Sequence, residues 1–156
     1  VSERRIPSWS PSVFFDVHAL DNAVGTYLDR ALADSPLNPA TYAFYSAIFD
    51  AEQISPTALA SFMGMPLTTV MDRLAAAERA GHISRHPDPR DRRATVVVLT
   101  GAGLAAHRAA NALFERAYAV FIAALPVSAA DASAMLERLR EAVDAAGIEL
   151  EQFAVG

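Results

Sequence analysis

The sequence contains neither cysteine nor lysine. Without thiols there is no disulfide framework, no thiol redox switch within the chain and no Cys-ligated zinc site. No stretch of about 18 consecutive apolar residues occurs, so no membrane-spanning helix is expected. Val1 to Trp9 carries Glu3, Arg4 and Arg5 without a following apolar run of signal-peptide length, and a cytoplasmic location is the expectation. The phosphate-cradling and nucleophile motifs G-x-G-x-x-G, P-loop and G-x-S-x-G are missing; Gly101-Ala102-Gly103 reads as a helix N-terminus. His18, His82, His86 and His107 are scattered, with no H-E-x-x-H spacing. No catalytic residue, cofactor or metal is therefore expected.

Charged residues are also few, 20% against 53% hydrophobic, which excludes a disordered chain. Abundant alanine and scarce strand-type runs favour a mainly α fold. The net charge of −5, taken alone, argues against a nucleic-acid partner. Its distribution argues otherwise. Arg85, Arg90, Arg92 and Arg93 face only Asp88 and Asp91 between His82 and Arg93, a local +2 against −7 for the rest. That every base is arginine is read mainly as compositional bias. The planar guanidinium nonetheless suits phosphate and narrow minor grooves.

The remaining pattern is helical. Val13, Val17, Leu20, Val24, Leu28 and Leu32 draw one apolar stripe behind a Ser12 cap. Asn38-Pro39 starts a second, aromatic-rich helix, and Ser55-Pro56 a short third. Gly64 breaks the chain, Pro66 opens a fourth helix and Gly81 closes it. A short helix, a tight turn and a longer helix form a helix–turn–helix, with Leu59 and Phe62 expected to pack on Val70, Leu74 and Ala77. The face left over carries Thr68, Thr69, Asp72 and Arg73. Ile83 marks a short strand, His86 to Arg93 a polar loop, and Ala94 to Leu99 the one β-branched run. Strand, basic loop and strand after a helix–turn–helix make a wing. Thr100 caps a fifth helix that Pro126 breaks. Ser128 and Asp131 start a sixth, which Gly147 is expected to end, leaving Ile148, Leu150 and Phe153 in a docking tail.

Leu59 to Met65 with Thr68-Thr69-Val70, the Arg79 to Ile83 junction, and Asp88-Pro89-Arg90-Asp91-Arg92-Arg93 leading into Val97-Val98-Leu99-Thr100 resemble the MarR family over roughly residues 12–146. These are bacterial winged-helix regulators that act as dimers. The resemblance implies a winged helix–turn–helix with N- and C-terminal dimerisation helices. Residues 1–36 would form an arm and dimerisation helix, 37–100 the DNA-binding lobe, and 101–156 the C-terminal dimerisation helices. The implied function is sequence-specific binding of double-stranded DNA as a homodimer on a pseudo-palindromic operator, as a ligand-responsive repressor.

The resemblance makes Arg93 the minor-groove arginine, with Arg90 and Arg92 on phosphate and Asp88 and Asp91 orienting the wing. The recognition helix would present Pro66, Leu67, Thr68, Thr69 and Arg73. Relatives often carry Ser and Arg where this chain has Pro66 and Leu67, so base readout here is less hydrogen-bonded. Family members commonly bind small aromatic or anionic effectors. Trp9, Phe14, Phe15, His18, Tyr42 and Tyr45 are the residues suited to such a pocket, although aromatics at helical spacing are more often core. The rival reading is a winged-helix protein–protein module without DNA binding.

Overall fold

The computed structural model describes residues 12–88 and 94–154, with side chains as far as residue 150. The elements run α1 (Val13–Ala31), α2 (Pro39–Asp50), α3 (Pro56–Met63), α4 (Leu67–Arg79), β1 (Ile83–Pro87), β2 (Thr95–Leu99), α5 (Gly101–Ala124) and α6 (Ala129–Ala154). The chain divides after Glu115 into two compact units.

In the first unit, side-chain caps start the helices where they were expected. Ser12 Oγ accepts from the Phe15 amide at 3.3 Å, Asn38 Oδ1 from Thr41 at 2.8 Å and Ser55 Oγ from Ala58 at 3.1 Å. Pro39 and Pro56 sit in the first turn, where a missing N–H costs nothing. Gly64 (φ +61°) ends α3, and Gly81 (φ +72°) follows α4, both left-handed positions that favour glycine.

The core gathers α2, α3, α4 and the hairpin around Phe44, Ile48, Leu59, Val70, Leu74 and Val97, all under 2% exposed. Leu59 packs as predicted, but Phe62 does not: it is 72% exposed. The buried face of α3 is centred between Leu59 and Ala60, and Phe62 falls to one side of it.

β1 and β2 pair antiparallel from Ile83 opposite Leu99 to Pro87 opposite Thr95. Thus His86 and Pro87, expected in the loop, extend the strand. The ladder continues to Asp88, whose amide donates to the Ala94 carbonyl at 2.9 Å. Ile54, between α2 and α3, adds a bridge to the other side of β2. It exchanges hydrogen bonds with Val97 at 2.8 and 3.2 Å.

The wing, α4 and α5 meet at Thr100. Its hydroxyl donates to the Gly81 carbonyl at 2.6 Å and accepts from the Gly103 amide at 3.1 Å, while its amide donates to the His82 carbonyl at 2.9 Å. One side chain caps α5 and fastens it to the C-terminal end of α4.

The second unit holds the last turns of α5 and all of α6. The Asp131 amide donates to Ser128 Oγ at 3.1 Å, and that hydroxyl donates to Asp131 Oδ2 at 2.6 Å. α6 runs through Gly147 rather than ending there. A glycine in a helix interior costs only about 1 kcal/mol, and the flanking residues are helix formers. Ile148 and Leu150, expected in a docking tail, are instead exposed helical positions.

Candidate nucleic-acid interface

The described members of the predicted interface lie on α4, at Pro66 just before it, and at Asp88 just beyond β1. Val70, Leu74 and Ala77 bury one face of α4. Leu67, Thr68, Thr69 and Asp72 lie on its exposed side. Pro66 stands at the cap position and supplies no side-chain hydrogen bond to the first-turn amides. Those N–H groups carry the positive end of the helix dipole, which favours an anion.

Arg73 is placed differently from Thr68. It is half-buried, with Nη1 donating to the Ala40 carbonyl at 3.2 Å and its guanidinium 5.9 Å from the Phe44 ring centroid. It ties α4 to α2. A second clasp, absent from the sequence reading, joins α4 to the wing: Arg85 Nε donates to Glu78 Oε2 at 3.1 Å. Four- and seven-residue offsets within one helix are easy to see in a sequence; this pair crosses a turn and a strand.

Asp88 is half-buried at the distal end of β1. Arg90, Asp91, Arg92 and Arg93 lie outside the described residues, in the segment that joins β1 to β2.

Of the six residues suited to a pocket, the five described ones are spread over α1 and α2. Trp9 lies outside the described residues. Phe14, Phe15 and His18 are exposed on α1 and do not line the cavities at Tyr45 and Tyr42. Tyr45 lines a cavity of about 380 Å³ between α2 and α4, where its hydroxyl lies 3.0 Å from His82 Nδ1. Tyr42 lines a larger one, about 610 Å³, bounded by α1, α2, α3 and α5.

Around Tyr42 the structure brings together residues that no motif marked. Its hydroxyl donates to Asn111 Oδ1 at 2.7 Å. His107 stacks against Tyr42 and Phe49, at 5.5 and 4.7 Å between centroids. Ser46 Oγ donates back to the Tyr42 carbonyl at 2.9 Å and so accepts from His107 Nε2, 3.0 Å away. That network assigns the Nε2–H tautomer. His107 Nδ1 is left as a buried lone pair with no partner among the described residues. The available sequence signal was His107 and Asn111, two polar residues four apart on one face of α5.

Burial holds the His107 pKa below its usual 6.5; Asp50 opposes that and Arg108 adds to it. Burial also raises the Tyr42 pKa above 10, against a lowering by hydrogen bonding with Ser46 and with Glu115 and Asp50 adding to the rise, and burial raises that of Tyr45. Below pH 6.5 the unfolded chain takes up a proton at this histidine that the fold resists. Stability is therefore fully present above about pH 6.5 and is lost as pH falls from there through the lower folded value. His107→Phe removes the group. The stability lost between pH 7.5 and pH 5, measured by urea unfolding, is expected to be smaller in that variant than in the parent. Equal losses would show that His107 does not carry the effect.

No family model and no curated protein matches the chain. Solved structures do. A transcriptional regulator, MosR from M. tuberculosis in complex with DNA, is 22% identical, with 86% of this chain and 98% of that one covered, at a TM-score of 0.74. PcaV from Streptomyces coelicolor, in complex with its natural ligand, is 20% identical over 90% and 99% at 0.72. A mutant MarR from E. coli complexed with operator DNA is 23% identical over 81% and 89% at 0.66. With α3–turn–α4 followed by the β1–β2 hairpin, the chain folds as a winged helix of the MarR type.

Proposed function

We propose that the protein is a transcriptional regulator that binds double-stranded DNA as a homodimer on a pseudo-palindromic operator. The observation that carries this reading is the exposed first turn of α4 beside a hairpin whose connecting segment holds Arg90, Arg92 and Arg93. A major groove about 12 Å wide admits α4, and Leu67, Thr68 and Thr69 would lie at base edges. Leu67 offers apolar contact, as to a thymine methyl. Arg93 enters the flanking minor groove, where negative potential favours guanidinium. Arg90 and Arg92 meet phosphates, with Asp88 and Asp91 orienting the wing. The clasps of Arg73 and Arg85 hold α4 and the wing in one setting, so Arg73 acts by position rather than by base contact. The DNA-bound regulators of the same fold support this reading.

Self-association rests on exposed apolar residues. α1 buries none of its residues, and Val13, Phe14, Phe15, Val17 and Leu20 are all at least 46% exposed. On α6, Met135, Leu136, Val143 and Ile148 are more than half exposed. Residues 1–36 and 101–156 would supply the dimer helices and 37–100 the DNA-binding lobe. Two recognition helices then fall about 34 Å apart, one helical turn of DNA. A small effector that favours one lobe spacing would shift DNA affinity through a coupling of about 1–3 kcal/mol. The cavity at Tyr42 is where such a ligand would act. Repression and a cytoplasmic setting complete the proposal; no enzymatic role is proposed.

Arg93→Ala tests the wing. It is expected to weaken operator binding by about 1–3 kcal/mol while the dimer persists in sedimentation. Parent affinity should fall steeply with salt through counterion release. Exposed Leu67 and Met71 on α4 favour the second reading, a protein-docking module. Wild-type DNA affinity in Arg93→Ala, or a flat salt dependence, would favour that module instead.

A further inference from the structure

The cavity bounded by α1, α2, α3 and α5 combines three features. Its volume, about 610 Å³, is that of a small-molecule site. Its wall holds a continuous aromatic surface: Tyr42 lies 5.0 Å from Phe114 and 5.5 Å from His107, which stacks in turn on Phe49. Its charged lining is two carboxylates, Asp50 and Glu115, against Arg108.

Asp50 is the last residue of α2, and no basic residue occupies that last turn. A carboxylate there adds to the negative end of the helix dipole, where a cation is the stabilising partner. Among the described residues none of Asp50, Glu115 and Arg108 enters an ion pair. Two hydroxyls of the lining agree in sign. The Tyr42 hydroxyl proton is committed to Asn111 Oδ1, which leaves its oxygen with acceptor capacity alone. The Ser46 proton is committed to the Tyr42 carbonyl. Aromatic faces carry negative potential, and they attract a cation most when it is desolvated.

We propose that this cavity takes an aromatic cation, a protonated amine carried on a flat apolar frame, with the rings enclosing the frame and Asp50 and Glu115 holding the ammonium. An anionic effector, the other chemistry the sequence resemblance allowed, meets two like charges and one Arg108. Binding follows from the cavity alone; that it alters transcription rests on the regulator reading above.

The test uses the intact chain and three probes on one ring: 2-naphthylmethylamine, 2-naphthalenemethanol and 2-naphthoate, titrated by calorimetry near pH 7.5. The amine should bind about fivefold or more tighter than the alcohol, and the naphthoate most weakly. Asp50→Asn and Glu115→Gln should each lower amine affinity about three- to tenfold and leave the alcohol within about twofold. Glu137→Gln on α6 should leave amine binding unchanged, which separates the site from general attraction to an acidic protein. Naphthoate binding tightest, no binding by any of the three, or amine binding indifferent to both cavity variants would overturn the proposal. DNA affinity is measured separately with and without amine. Site-dependent amine binding without any change in DNA affinity would sustain the cation site and count against the effector role.

Discussion

Gly103→Ala is expected to cost about 3 kcal/mol of stability, read as a clearly lowered urea midpoint. The reason is a close approach rather than a special φ. Gly103 lies in the first turn of α5, and a Cβ added there would overlap the carbonyl group of His82. That carbonyl already accepts the Thr100 amide, so it has no freedom to withdraw. Relief would require α5 to lift away from the α4–β1 junction. Lifting it breaks the Thr100 contacts to Gly81 and Gly103 together. Gly147→Ala is the matched control. Open space surrounds that position within α6, so alanine should be neutral or stabilise by about 0.5–1 kcal/mol. Urea midpoints for the pair decide the matter. A Gly103→Ala protein with the parent's midpoint would mean that α5 does not approach His82 as closely as described.

Phe44→Ala is expected to cost about 3–5 kcal/mol, the range for removing a fully buried ring. Phe44 is 1% exposed and sits in the cluster that joins α2 to α3 and α4. Its ring also lies beneath the Arg73 guanidinium. The substitution therefore opens a cavity and removes the aromatic partner of a charged group at once. Phe44→Leu keeps most of the volume and should recover more than half of the loss. Equilibrium unfolding in urea gives both values. An alanine variant within about 1 kcal/mol of the parent would show that the ring is not a core member.

Much of this architecture was readable because local chemistry and tertiary packing agree. Ser12, Asn38-Pro39, Ser55-Pro56, Gly64, Gly81, Thr100 and Ser128 each mark a boundary through a backbone need that the residue itself meets. The β-branched run at Thr95 to Leu99 likewise left one assignment for β2. The misreadings occur where a residue's effect depends on what lies across space. Gly147 is tolerated within α6 because its neighbours favour helix. Phe62 looked like a core residue by spacing, yet three residues after Leu59 it is turned outward. Ile54 joins the hairpin through backbone atoms only, which leave no trace in side-chain pattern.

The site divides in the same way. Exposed Leu67, Thr68 and Thr69 followed from helix periodicity alone. Arg73 did not, because its partner is a carbonyl in α2, far away in sequence. The pocket expectation selected aromatics by type, so it included Phe14, Phe15 and His18 beside Tyr42. What defines the cavity is α5 meeting α2, and that brings in His107, Asn111 and Glu115.

The Ile54 bridge has a consequence for association with other chains. A strand edge with unpaired N–H and C=O groups is a template for intermolecular pairing. β2 is paired with β1 along its whole length and is held again at Val97 by Ile54, so little of its backbone is left to template. The outer rim of the hairpin is β1, five residues long. Pro87 has no N–H to donate there, and Arg85 adds charge. Such a rim is a poor seed for sheet growth between molecules.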